Sequence, residues 1–288
     1  MKTRIITAVV FAAIGIPIII LSDYIIFPIA ISLFALLSVN EMLRVFGLHK
    51  SYLIAGPSYA LALVLPFFAY KDFSGLFVGI FGSDPCFAYL SFMATVYFIF
   101  LLYMAFASVL VRGKLEVRDI SMAFMTVVYL LTSYVSYVLL RYMPAGRYLF
   151  VLALVISWGC DISAYFVGTL VGKHKLIPEV SPKKTIEGSV GGTVVACGLT
   201  MLFGFLVSIF DGSIEVNYIS LAVIGLVLSI VSQLGDLWAS IIKRQYGVKD
   251  FGTLFPGHGG ALDRFDSVLA ICLLLVLMCS SWPPFVPV

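Results

Sequence analysis

A chain of 288 residues with 61% hydrophobic and only 11% charged residues, at a mean hydropathy of +1.09, is a membrane-embedded protein and not a pair of soluble domains. Its net charge of +3, from 18 basic against 15 acidic residues, excludes a disordered or nucleic-acid-binding chain. Continuous apolar runs exclude an outer-membrane barrel, whose strands alternate polar with apolar residues.

A helix crossing the bilayer takes about 20 apolar residues. Runs of that kind between clusters of charge, glycine and proline predict an all-α polytopic protein of about nine transmembrane helices: 5–22, 24–40, 53–70, 87–111, 120–140, 148–171, 189–210, 217–242 and 266–282. The first has the basic flank of a secretory signal but no small-x-small cleavage site after it, so it is expected to stay as a span. Ser22 and Asp23 force a tight turn into the second. The expected organisation is an N-terminal transmembrane region of about five helices, 1–145, and a C-terminal transmembrane region of about four, 146–288, which carries the two long polar loops and, on the motifs below, the catalytic chemistry. Four of the five cysteines lie inside apolar runs and none forms a C-x-x-C pair, so they read as packing residues.

With these spans, Lys2, Arg4, Arg44, Lys50, Arg112, Lys114, Arg118, Lys173, Lys175, Lys183, Lys184, Lys243, Arg244, Lys249 and Arg264 fall on one side. Lys71, Arg141 and Arg147 fall on the other. Because basic residues are retained in the cytoplasm, the asymmetry predicts a cytoplasmic N-terminus, an outside C-terminus and a location in the cytoplasmic (inner) membrane.

Asp161 falls inside the sixth predicted span, where an ionisable group is costly and marks a functional candidate; its bland alternative is a structural hydrogen bond between helices, with Ser157 and Ser163 nearby. The following loop carries Lys173, His174 and Lys175 and then S-P-K-K-T-x-E-G, in which Pro182 stiffens the chain before Lys183, Lys184 and Thr185. Two lysines and a hydroxyl suit a triphosphate or a lipid phosphate. Glu187 could hold a lysine, contact a metal, or cap the next helix, where an acid near the N-terminus is favourable. The pairs Gly168 with Gly172 and Gly188 with Gly192 have G-x-x-x-G spacing, expected to mark close helix packing and compatible with a homodimer.

The second polar insertion, 233–267, returns Asp236, Asp263 and Asp266 to one membrane face. A spacing of three sets Asp263 and Asp266 on one side of a helix. Carboxylates gathered at the edge of low dielectric repel one another unless a cation neutralises them, and oxygen-only donors suit Mg²⁺. Around them Lys243, Arg244, Lys249 and Arg264 supply positive charge, and Gly257, Gly259 and Gly260 let backbone approach a ligand closely. Singly, the basic residues could be ordinary cytoplasmic anchors and the glycines a turn; together they form a phosphate-handling pattern. His258, between the glycines, could be a general acid or base, a donor to phosphate, or a turn residue bonded to its own backbone.

The run S-x-I-K-R-x4-K-D-F-G-x-L-x-P-G-H-G-G-x-L-D-R-F-D, from Ser240 to Asp266, resembles the signature of the phosphatidate cytidylyltransferases, or CDP-diacylglycerol synthases. D-x-x-A-Y-x-x-G from Asp161 to Gly168 and S-P-K-K-T-x-E-G from Ser181 to Gly188 are similar to further motifs of that family, in the same order. The resemblance covers mainly 157–267; residues before 140 match only in being hydrophobic and multi-spanning. It implies a membrane nucleotidyltransferase that joins CTP and phosphatidate into CDP-diacylglycerol and pyrophosphate with Mg²⁺, as one or two divalent ions with room for a monovalent one, its site facing the cytoplasm. On this expectation Asp236, Asp263, Asp266, Lys184 and His258 are catalytic. Lys173, Lys183, Thr185, Lys243, Arg244, Lys249, Arg264, Gly259 and Gly260 bind substrate. Asp236, Asp263 and Asp266 hold metal, with Asp161 and Glu187 as additional ligands.

Two rivals are weighed against it. An ion-coupled transporter would use Asp161 and Asp236 as a cation pathway near mid-membrane, yet the acids cluster toward one face with phosphate-type basic residues. A CDP-alcohol phosphotransferase would show D-G-x2-A-R-x8-G-x3-D-x3-D, whereas this chain has D-x-x-D after H-G-G.

Overall fold

Long apolar runs fold as helices in a bilayer because only a helix satisfies its own backbone donors and acceptors without water. A computed structural model describes residues 13, 15–70, 85–112, 115–257 and 259–288. In chain order the helices are α1 (Ile26–Val45), α2 (Tyr52–Phe68), α3 (Pro85–Leu110), α4 (Val117–Tyr142), α5 (Gly146–Leu170), α6 (Ile186–Phe210), α7 (Tyr218–Gln245) and α8 (Leu262–Ser281). Strands β1 (Lys175–Ile177) and β2 (Ser181–Thr185) lie between α5 and α6, β3 (Ile214–Val216) precedes α7, and β4 (Phe285–Pro287) follows α8. Among the described residues, six helices, α1 and α3 to α7, are long and apolar enough to cross a membrane, and α2 is a shorter apolar helix. Most of the first predicted span, 5–22, lies outside the described residues.

The chain is mostly helical, as expected, but the all-α reading needs one amendment. Two antiparallel ribbons, β1 with β2 and β3 with β4, occupy loops. Pro178 and Pro182 bar a helix through the first, and extended backbone there pairs Ile177 with Ser181 and Lys175 with Thr185.

The chain packs as two units, Met1–Val138 with Val248–Arg264, and Leu139–Gly247 with Phe265–Val288. In the first, hydroxyl pairs tie helices together: Ser38 with Tyr134 at 2.6 Å, Tyr59 donating to Asn40 at 2.9 Å, and Tyr97 with Thr132 at 2.7 Å. Each is worth about 0.6 kcal/mol in a bilayer setting, so van der Waals packing of buried Phe27, Val39, Leu130 and Leu131 carries more of the stability.

In the second unit, small residues set the spacing between helices. A Cβ added at Gly192 would stand 2.7 Å from the Ala164 Cβ, and one at Gly188 would stand 2.7 Å from the Ala164 carbonyl oxygen. The G-x-x-x-G pair on α6 therefore marks close packing against α5. At the end of this unit formed by the start of α5 and the end of α6, Phe285 of β4 is buried against the Tyr148 and Phe203 rings. Beside it Asp211 accepts hydrogen bonds from the Ser213 hydroxyl and Tyr148, and pairs with Arg147 at 2.5 Å.

Bonds from the Ser213 hydroxyl, from Tyr148 and from the Ser213 backbone, with the Arg147 charge, hold the Asp211 carboxyl down at about 2 from its ordinary 3.8. A depressed carboxylate contributes stability that is complete above the unfolded value and is lost as pH falls through the folded one. Wild type is therefore expected to unfold at higher temperature than Asp211→Asn by a margin constant from neutral pH down to about 4, closing only at lower pH. Thermal unfolding of the detergent-solubilised pair at several pH values measures that margin.

Candidate active site

The second unit gathers charge where α5 and α7 end and α6 begins. Asp236, on α7, receives the ammonium of Lys184 from β2 at 2.5 Å, each side chain about a quarter exposed (26% and 27%). Asp266, near the start of α8, faces Lys243 of α7 at 3.8 Å, both side chains only 10% exposed. Asp161 of α5 accepts the Ser267 hydroxyl at 2.9 Å, and the Asp161 and Asp236 charges lie close enough to Asp266 to repel it. Gly235 makes this convergence possible, since a Cβ there would fall on Ala270 and hold α7 away from α8.

Lys184 reaches Asp236 because the β1–β2 hairpin is clasped at both ends. Thr185, extended and buried, caps α6 by accepting the Gly188 N–H at 3.1 Å. Glu187, in the first turn of α6, accepts the backbone N–H groups of Lys173 at 3.1 Å and His174 at 3.2 Å, and meets His174 Nδ1 at 2.6 Å. Lys173 and Lys183 are exposed on the same hairpin. Arg244, also exposed, donates from Nε to the Val180 carbonyl at 3.4 Å.

The first unit holds the glycine-rich part of the signature. Gly257 and Gly259 have φ of 78° and 85°, left-handed values that glycine adopts without strain, and Phe255 donates its N–H to the Gly259 carbonyl at 2.8 Å. His258 lies outside the described residues. The resulting loop bounds a cleft of about 520 Å³, lined in part by Lys249, Phe255, Gly259 and Arg264. Asp263 is buried, and its Oδ2 accepts from Phe251 N at 2.7 Å and Gly260 N at 2.9 Å.

One acid absent from the sequence reading is central to this loop. Glu41, on α1, is 6% exposed and accepts the N–H groups of Ala261 and Leu262, each at 2.9 Å. The rule that singled out Asp161, an ionisable group inside an apolar span, applies equally to Glu41. Its position near Arg44, at the end of the run, disguised it as a loop residue.

Chemically, the second unit offers hard carboxylate oxygens offset by ammonium groups, and the first offers a basic cleft with backbone close to its surface. Among the described residues, no three His, Cys, Asp or Glu side chains form a ready-made metal cage. Asp161 and Asp236 nonetheless lie close enough to Asp266 to repel it, and two cationic side chains already stand against these acids, so the donor set fits a hard divalent cation.

A family model described as the cytidylyltransferase family matches residues 2–282. The phosphatidate cytidylyltransferase of Staphylococcus haemolyticus (strain JCSC1435) is 34% identical over 278 residues, 96% of this chain and 98% of that protein. The protein of the same name from Staphylococcus aureus (strain COL) is 31% identical over the same shares. That of Bacillus subtilis (strain 168) is 48% identical over 126 residues, 44% of this chain and 45% of the relative.

Proposed function

The chain belongs to the cytidylyltransferase family, and from that premise we propose that it transfers the cytidylyl group of CTP to phosphatidate, releasing pyrophosphate and forming CDP-diacylglycerol. The observation that carries the reading is the cluster at the ends of α5 and α7, where Lys184 and Lys243 stand against Asp236 and Asp266. An ion-coupled transporter finds no support in the family match.

The nucleophile is an anionic phosphate oxygen that attacks the α-phosphorus of CTP, and the bond from that phosphorus to the bridging oxygen breaks as pyrophosphate leaves. No strong base is required; the barrier lies in bringing two polyanions together. Lys184 and Lys243 each sit beside a carboxylate that aims the ammonium. In the second unit Lys173 and Lys183 extend positive charge from the hairpin and Arg244 from the end of α7; in the first unit Lys249, Arg264 and Gly259 line the cleft. Thr185 and Glu187 serve the site by fixing the hairpin, and His258 is assigned to the glycine loop.

Asp236 and Asp266, with Asp161 beside them and Asp263 on the same helix, would hold Mg²⁺, as one or two ions, and Glu187 is a further donor at the hairpin. When bound, a divalent cation neutralises phosphate charge and polarises the bond that breaks. In this reading the chain has nine spans with the N-terminus in the cytoplasm and the C-terminus outside. It sits in the cytoplasmic membrane with the site facing the cytoplasm, a topology supported by the distribution of Lys and Arg. A homodimer is a further part of this reading.

Purified protein given CTP labelled at the α-phosphate, phosphatidate and Mg²⁺ is expected to move label into the chloroform-soluble lipid. Label confined to the aqueous phase under all Mg²⁺ concentrations rejects the assignment.

A further inference from the structure

Helix α8 begins with a defect in its own sequence. Its N-terminal residues are Gly260, Ala261 and Leu262, none of which has a side chain able to accept a hydrogen bond, although the first N–H groups of any helix lack intrahelical partners. The residue three positions after Ala261 is Arg264, a donor that cannot reach back as an acceptor. Glu41, 220 residues away in sequence, fills the gap by taking the Ala261 and Leu262 N–H groups on its two separate oxygens.

The fit around that carboxylate is shaped on three sides. A Cβ added at Gly252 or at Gly260 would fall against the Glu41 carboxylate, so both glycines clear space for it. Asp263, on the next residue of α8, takes Phe251 N and Gly260 N with one oxygen. Four backbone donors from both ends of the glycine loop therefore converge on two neighbouring carboxylates. Hydrogen bonds from N–H groups and the positive end of a helix offset the repulsion between these two neighbouring acids. A stabilising cap alone would need neither the second acid nor two glycines cut away to admit it.

We infer that Glu41 is a positioning residue for the transfer reaction, holding the 251–262 loop and the first turn of α8 so that Arg264 and the Gly259 backbone face substrate phosphate. The inference rests on the proposed cytidylyl transfer. Glu41→Gln keeps the size of the side chain but replaces one acceptor oxygen with an NH₂ that faces a backbone N–H, so one of the two bonds is lost. The loop then gains freedom at the scale of an ångström, and misplacement of that size costs about 10²-fold in rate.

The test compares full-length wild type, Glu41→Gln and Gly260→Ala in two measurements: labelled-CTP kinetics normalised to monodisperse protein, and hydrogen exchange of peptides covering 259–265. The expected result is a fall in kcat of at least tenfold in Glu41→Gln, with KM for phosphatidate within twofold of wild type and faster exchange in those peptides. Gly260→Ala shows the same pattern, which keeps the inference open to refutation if Glu41→Gln is recovered poorly. Unchanged kcat per folded molecule in either variant overturns it, as does a fall in kcat with exchange unaltered. If wild type itself transfers no label, the proposed function fails; exchange unaltered by Glu41→Gln would then overturn the loop tie separately.

Discussion

Asp266→Asn abolishes Mg²⁺-dependent formation of labelled lipid, by roughly 10²- to 10³-fold or more, while the protein stays folded in the membrane. Asparagine matches the shape of aspartate, but it loses the charge and exchanges one acceptor oxygen for an NH₂ donor. In the wild type that charge is buried on α8 against Lys243 at 3.8 Å and is repelled by Asp161 and Asp236. Removing it relieves two repulsions and weakens one attraction, so the unfolding temperature is expected to stay within a few degrees. The two effects separate cleanly: a group whose main job was stability would show the reverse, a lower unfolding temperature with activity retained. Raising Mg²⁺ tests the cation assignment, because a weakened metal site shows partial recovery at high metal and a lost phosphate contact does not. Near-wild-type turnover in Asp266→Asn would sink the assignment of Asp266 to the metal.

The same charges explain why so much of this molecule is legible without coordinates. Where a run such as 217–242 is apolar but for a few polar residues, a bilayer leaves the chain no folding choice but a helix, and α7 extends it only by Lys243, Arg244 and Gln245. G-x-x-x-G on α6 is readable because small residues in a row have one use there, close approach of another helix, and Ala164 supplies it. What escapes is direction. Thr185 and Glu187 read as candidate ligands from their company of lysines, and their oxygens also hold the Gly188, Lys173 and His174 backbone. A carboxylate aimed at N–H groups and one aimed at a cation have the same sequence signature. Glu41 escapes for a related reason: its partners lie 220 residues away, and the missing cap at Gly260–Leu262 is visible as a gap but does not name what fills it.

Lys184→Ala is expected to cost about 10²-fold in kcat and to destabilise the hairpin end of the second unit, and a double-mutant cycle with Asp236→Asn separates the two losses. Alone, Lys184→Ala leaves the Asp236 carboxylate without the ammonium now at 2.5 Å and still near Asp266. Truncating one partner of a paired charge leaves the other uncompensated, which is the larger share of the damage to stability. Adding Asp236→Asn removes that uncompensated charge, so the double variant should regain most of the lost unfolding temperature. It should not regain activity, because the phosphate of CTP or of the lipid still lacks its cation and the metal site has lost a ligand. Activity returning together with stability would reduce Lys184 to a structural counter-ion of Asp236. Stability returning in the double variant, together with a low kcat per folded molecule in Lys184→Ala alone, places Lys184 on the substrate, with Asp236 holding it there.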